Sequence, residues 1–178
     1  MIKPSVTQVR SAVALMMVSA SLYVGIAQHE GYVEVAAPPV AGDVPTNGFG
    51  STAGVRLGDK TTPVRAMIRL LNEIEDVYAA GVRKCVAVPL YQHEFDAYVS
   101  LAYNVGVGAV CRKADKRTVD DQGKPKLPEP DRLIDVLNQG DYEEACRRIK
   151  SFNRFQGKVM RGLTIRREAE YKQCLGLA

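Results

Sequence analysis

Several chemistries are excluded by what this chain lacks. Its 178 residues hold two histidines, His29 and His93, too far apart to form a metal site by themselves. The four cysteines, Cys85, Cys111, Cys146 and Cys174, never approach the CxxC spacing of zinc or redox centres. A phosphate-binding glycine loop is absent, as are an aromatic-rich basic motif of the RNA-binding kind and any internal repeat. Nucleic acid is therefore not an expected partner, no metal or other cofactor is called for, and no base stands at a recognisable partner position for a catalytic cysteine. Acidic residues are also missing from the first 29 positions, and Ser11 to Ala27 carries no charge at all.

That last absence sets the organisation. Lys3 and Arg10 precede the uncharged run, the pattern of an export signal that inserts with its N-terminus in the cytoplasm. The run is short for a bilayer span and diluted by Ala12, Ala14, Ser19, Ala20, Ser21, Gly25 and Ala27, so a membrane would hold it weakly. Gly25 and Ala27 supply the small residues of a cleavage site, which makes a removed signal peptide the competing reading. Cleavage there would leave Glu30 on a frayed terminus, so a retained segment over 1–28 followed by a catalytic domain over 29–178 is expected. Export would carry the even set of cysteines into an oxidising compartment and favour two disulfides, with connectivity open.

Hydrophobic residues at 46% and charged residues at 25% are ordinary for a globular domain of this size. The formal charge is +4, and Arg147, Arg148, Lys150, Arg154, Lys158, Arg161, Arg166, Arg167 and Lys172 crowd the C-terminal third. Such a face suits an anionic polymer, although a solvated helix surface is the preferred reading of such a run.

Glu30 ends the apolar segment, and a turn-rich stretch, Gly42 to Gly50, carries Asp43 and Thr46. A carboxyl beside packed apolar residues can stay protonated while one in a polar turn ionises, the asymmetry that glycoside hydrolysis uses. Pro and Gly from 36 to 58 predict short hairpins with Val40, Val44, Phe49 and Val55 inward. Thr62-Pro63 predicts a helix start, Val64, Met67, Ile68, Leu71, Ile74 and Tyr78 its buried stripe, and Gly81 its end. A second helix presents Tyr91, Phe95, Tyr98, Ala102 and Val105 on one face, with His93 solvated or locally bonded. Lys113 to Pro130 reads as an exposed loop, and a short helix covers Asp131 to Gln139. Asp141 to Glu144 has capping-box spacing, and a last helix starts near Thr164.

Taken in order, HEGY at 29–32, GDVPTNGFGST at 42–52, VPLYQHEFDAYVSLAYNVGVGAVC at 88–111, LNQGDYEEAC at 137–146 and GKVMRGLTIRREAEYKQC at 157–174 resemble the phage lysozyme family of glycoside hydrolases, in its signal-anchor-release endolysin branch. The resemblance implies an α+β, mostly helical lysozyme-like fold with a small β-rich lobe. It implies cleavage of the β-1,4 bond between N-acetylmuramic acid and N-acetylglucosamine. Implied partners are peptidoglycan glycan strands, the host inner membrane before release into the periplasm, and the host export machinery, with the enzyme a monomer. Glu30 corresponds to the family's catalytic Glu, Thr46 to a Thr that lines the site and positions water, and Arg166 to the arginine that pairs with that Glu. The bland reading of Arg166 is a helical ion pair with Glu170.

The aspartate departs from the pattern. The family's Asp stands nine residues after the Glu, where this chain has Pro39; Asp43 is the nearest acid, and Glu34 is a weaker candidate that would share a face with Glu30 only if the helix continued. Either a rebuilt turn lets Asp43 serve, or Glu30 works alone, as in the phage transglycosylases. A degenerate, membrane-anchored domain that holds peptidoglycan without cutting it is the reading from another class. The resemblance also implies the pairings Cys85 with Cys174 and Cys111 with Cys146.

Overall fold

The computed structural model describes residues 9–39, 42–112 and 132–177. The expected loop over Lys113–Pro130, and Val40, lie outside the described residues.

Eight helices and two small antiparallel sheets make up the described architecture. Helix α4 (Gln92–Val105) is its axis. Residues Glu94 to Ala102 are all buried, so the sequence's single apolar face has become a helix enclosed nearly all round. It is packed by α1 (Ala20–Glu30), α3 (Ala80–Cys85), α5 (Val107–Val110) and α8 (Arg161–Cys174). Enclosure buries Glu94, Asp96 and Ser100 along with Phe95, Tyr98 and Leu101, and each of the three polar side chains has a partner, as buried polar groups must.

Helix α2 (Pro63–Glu73) starts where expected, with the Thr62 hydroxyl accepting from the Arg65 amide. Its buried face is Ala66 and Leu70, continued by Ile74 just past its end, and Val64 and Ile68 from the expected stripe are exposed. Gly81 does not end the element. The chain runs on through a π-helical segment, Ile74–Ala79, and then α3. A Cβ at Gly81 would stand 2.5 Å from Val107 Cγ1, so the glycine lets α5 approach and is no stop signal.

After residue 131, α6 (Leu133–Asn138) and α7 (Tyr142–Arg148) pack as a pair, and the Asp141 carboxylate caps α7 through the Glu144 amide. A short hairpin, β3 (Arg154–Phe155) with β4 (Lys158–Val159), delivers the chain to α8. That helix begins at Arg161, earlier than expected, because the Met160 carbonyl already accepts the Thr164 amide.

The disulfides differ from the pairing implied by the resemblance. Cys85 bonds Cys111 and Cys146 bonds Cys174, one of the connectivities that residue spacing left open. Cys85 ends α3 and Cys111 follows α5, two helices in contact, while Cys146 lies on α7 against the end of α8. Each bond therefore joins local neighbours, closing loops of 26 and 28 residues.

The uncharged run Ser11–Ala27 is divided in this structure. Ser11 forms an antiparallel bridge to Leu90, Val13, Met16 and Val18 are buried, and Leu15 and Met17 face outward. Ser19 then caps α1, its hydroxyl accepting from Leu22 and its amide donating to Asp96. Among the described residues, no helix is long and apolar enough to cross a membrane.

The β lobe pairs β1 (Val33–Ala37) with β2 (Thr46–Gly48), Val33 opposite Gly48 and Ala37 opposite Thr46. Its buried positions are Ala36, Asn47, Gly48 and Ser51; Val44, expected inward, is exposed. The lobe is too small for a valine core and closes on small residues instead. Gly48 lies so close to α2 that a Cβ there would meet Ala66 Cβ at 2.9 Å.

Candidate active site

Glu30 is the last residue of α1, and Gly31, at φ 69°, turns the chain into the β lobe. Only glycine adopts that backbone without strain, so the sequence itself places a carboxyl at the junction of helix and lobe. The lobe folds back over it. At Gly50 (φ 86°) a Cβ would stand 3.1 Å from Glu30 Oε2, so the turn after β2 packs its bare backbone against the carboxyl. Arg166 closes the opposite side: its Nη1 donates to Glu30 Oε1 at 2.8 Å. The pair is mostly buried, with side chains 10% and 23% exposed.

Arg166 also donates from Nε to Glu170 Oε1 at 3.3 Å, so the pairing with Glu30 and the helical pairing with Glu170 are both present. Ser100 and Arg167 bond the same Glu170 oxygen at 2.8 and 3.0 Å. Burial pushes the Glu170 carboxyl up, opposed by Arg167, Ser100 and Arg166, and burial pulls the Arg167 guanidinium down, opposed mainly by Glu170.

Two phenols border the carboxyl. Tyr103 donates to the Phe49 carbonyl at 2.7 Å and stacks edge-on with Tyr78, centroids 4.9 Å apart. Burial raises both above the usual phenol range, and the charges of Glu30 and Glu73 add to it, so both keep their protons at any working pH. Glu73 accepts from Ser51 Oγ at 2.8 Å and Arg69 Nε at 2.7 Å, placing a second carboxylate on this side of the lobe.

The other expected residues are placed differently. Asp43 is exposed on the lobe, and its Oδ1 accepts from the next amide, Val44, at 2.8 Å. Thr46 opens β2 and donates to the Ala37 carbonyl at 3.4 Å. Among the described residues, no hydrogen bond or ion pair joins either of them to Glu30. Glu34 is on β1, past Gly31, so it cannot share a helix face with Glu30. His93 is neither fully solvated nor locally bonded: its Nδ1 meets the Cys174 carbonyl at 3.1 Å, 81 residues along the chain, and it serves no metal site among the described residues. Among the described residues, no three His, Cys, Asp or Glu side chains converge as a metal site would require.

Tyr78, Tyr103, Glu73, Ser100, Arg167 and Glu170 did not emerge from sequence reasoning. For Tyr78, Glu170 and Arg167 a signal was present but read otherwise: the first sat in an apolar stripe, the second at ion-pair spacing and the third in the basic C-terminal face. The rest had none.

The phage lysozyme family model matches residues 27–170. The SAR-endolysin of Pseudomonas phage phiKMV is 32% identical over 160 residues, covering 88% of this chain and 87% of its own. That of Haemophilus phage HP1 is 32% identical over 140 residues, 75% of this chain and 68% of its own. Among solved structures, the endolysin from Escherichia coli O157:H7 phage FAHEc1 superposes with a TM-score of 0.72 at 26% identity, covering 96% of this chain and 98% of that one. The active form of the P1 phage endolysin Lyz gives 0.73 at 21% identity, with 95% and 97% covered, and agrees in fold. With the matched span running from the end of α1 through the lobe to Glu170 on α8, the chain belongs to the phage lysozyme family.

Proposed function

We propose that this protein is an endolysin that hydrolyses the β-1,4 bond between N-acetylmuramic acid and N-acetylglucosamine in peptidoglycan. The observation that carries the reading is the Glu30–Arg166 pair, a part-buried carboxyl held on one oxygen at the seam of two lobes while its other oxygen faces the Gly50 turn. In the proposed reaction Glu30 gives its proton to the glycosidic oxygen as the bond to the anomeric carbon breaks. Water held by Thr46 adds to that carbon and loses its proton to solvent, from which Glu30 is reprotonated, while Asp43 steadies the developing positive charge or orients that water, so one water is consumed and the strand is cut in two. Arg166 holds Glu30 in orientation.

The test is mass spectrometry of fragments released from purified peptidoglycan. Fragments with reducing ends that disappear in Asp43→Asn support the two-carboxylate assignment. Anhydro-sugar ends that persist in Asp43→Asn would overturn it in favour of a transglycosylase resting on Glu30. A protein that sediments with cell walls and never clears them would sink both.

The same reading includes delivery. Ser11–Ala27 tethers the exported chain in the host inner membrane, and release into the periplasm lets these residues fold as described above. Support comes from the basic flank, the uncharged run and the SAR-endolysin relatives. The buried Val13, Met16, Val18, Leu22 and Ile26 also offer the segment a destination outside lipid. A Cβ at Gly25 meets nothing within 4 Å, so Gly25→Leu raises membrane affinity without a clash at the Cβ. That variant is expected to stay in the membrane fraction; full periplasmic release would count against the tether.

A further inference from the structure

We propose that Glu170 is a positioning residue for this reaction: from inside the protein it fixes the orientation in which Arg166 meets Glu30, and it offsets the charge of Arg166 and Arg167 behind the acid. The proposal rests on the reading of Glu30 as proton donor. Glu170 has a side chain only 5% exposed. Its Oε1 accepts from Ser100 Oγ, Arg166 Nε and Arg167 Nη2, and its Oε2 lies 2.7 Å from Arg167 Nε. A guanidinium is planar, so holding Nε fixes where Nη1 points, and Nη1 is the nitrogen on Glu30. Arg166 Nη2 is buried and has no hydrogen-bond partner among the described residues. Arg166 is thus held by two carboxylates, one of which has to release a proton during the reaction.

Charge gives Glu170 its second effect. Behind Glu30 stand Arg166 and Arg167 against Glu170. In front are Glu73 on α2 and the protonated Tyr78 and Tyr103. A cavity of about 530 Å³ between α1, α4 and α8 opens onto Glu170 from behind and is also lined by His29, His93 and Asp96. Removing the Glu170 charge leaves two arginines against one carboxylate, which stabilises the ionised donor; removing Arg167 does the opposite.

Lysis rate against pH is measured for Glu170→Gln and Arg167→Met, each normalised to the folded fraction. Glu170→Gln is expected to lose at least tenfold in rate and to move the alkaline limb of the profile down by about one pH unit. Arg167→Met is expected to move the limb up, and it carries the charge test if Glu170→Gln does not fold. A purely structural role would lower the melting temperature of both variants and leave the limb where it is, which overturns the proposal, as would shifts of the same sign.

A readout independent of activity is the Arg166 Nε–H resonance. In Glu170→Gln its acceptor becomes a neutral amide oxygen in place of a carboxylate, so the bond weakens and the resonance is expected to shift and exchange faster with water, while Glu30→Gln leaves it in place. An unchanged resonance in Glu170→Gln overturns the positioning role. If Glu30→Gln still lyses cells, the functional reading fails and the resonance still decides the positioning.

Discussion

Two arginine–glutamate pairs flank the N-terminal helix, and they are built to opposite specifications. Arg10 reaches both oxygens of Glu94, at 3.1 and 2.7 Å, and lies over the rings of Tyr91 and Tyr142. Glu94 Oε2 also accepts the Tyr91 amide. Arg166 touches Glu30 through one nitrogen and one oxygen, and the second oxygen faces a bare glycine turn. A carboxylate whose two oxygens are both engaged by a cation and an amide is committed to structure. One left half-engaged at a lobe junction keeps a site for a proton and room for a substrate atom, at some cost in stability. The first pair fastens the chain ahead of α1 to the body, and the second keeps the residue at the other end of α1 available.

The contrast is sharpest in Glu30→Gln. Lysis by turbidity is expected to fall by about 10²–10⁴-fold with the melting temperature nearly unchanged; substantial lysis would refute the assignment. Next in size is Gly50. A side chain at Gly50 meets both a positive φ and Glu30 Oε2, whereas Gly54, φ 69°, has open space. Both Gly50→Ala and Gly54→Ala should cost about 1 kcal/mol of backbone strain, but only Gly50→Ala should lose activity, by about tenfold. Equal losses would mean that the turn does not shape the acid's surroundings.

Arg10→Ala inverts the pattern. It leaves Glu94, 4% exposed, without its cation, and because Arg10 itself is 30% exposed the cost is discounted to about 2 kcal/mol. Thermal melting should show the loss while the rate per folded molecule stays at the wild-type level; a rate that falls with it would join the two pairs functionally. The smallest effect is expected at Asp96, which accepts from the Ser19 amide and Gln92. Burial raises its carboxyl above the usual range, against the opposing pull of those hydrogen bonds and His93. A raised folded value means that its stabilising contribution is complete below the unfolded value and is lost as pH rises through the folded one. Asp96→Asn should therefore stabilise the protein at neutral pH, by on the order of 1 kcal/mol or less, and the gain should vanish below the ordinary carboxylate range. Calorimetry at two pH values measures it, and a gain that grows in acid would reverse the assigned sign.

Features that depend on neighbours in sequence were readable from it. Thr62-Pro63 starts α2, Asp141 caps α7 and Gly31 ends α1 behind Glu30, because a cap or a positive φ is decided within one turn of chain. Features that depend on what packs against a residue were not. Val64 and Ile68 have the helical spacing of a buried stripe, yet the β lobe meets α2 through Ala66, opposite Gly48. Gly81 looks like a terminator and is a contact point for Val107. The disulfides follow which helix ends meet, so resemblance suggested one pairing and the packed helices hold another.

The same division holds at the site. The sequence by itself determined an acid at a helix end and an uncharged segment ahead of it, while an arginine to pair with that acid was implied only by the family resemblance. Only the tertiary structure decided that Arg166, 136 residues away, meets Glu30 on one oxygen, that the other faces Gly50, and that Glu170, Ser100 and Arg167 stand behind. Local propensities act through a few adjacent dihedrals and leave a trace in a short window of sequence. Long-range pairing is selected by how the whole core closes, and no window of sequence contains it.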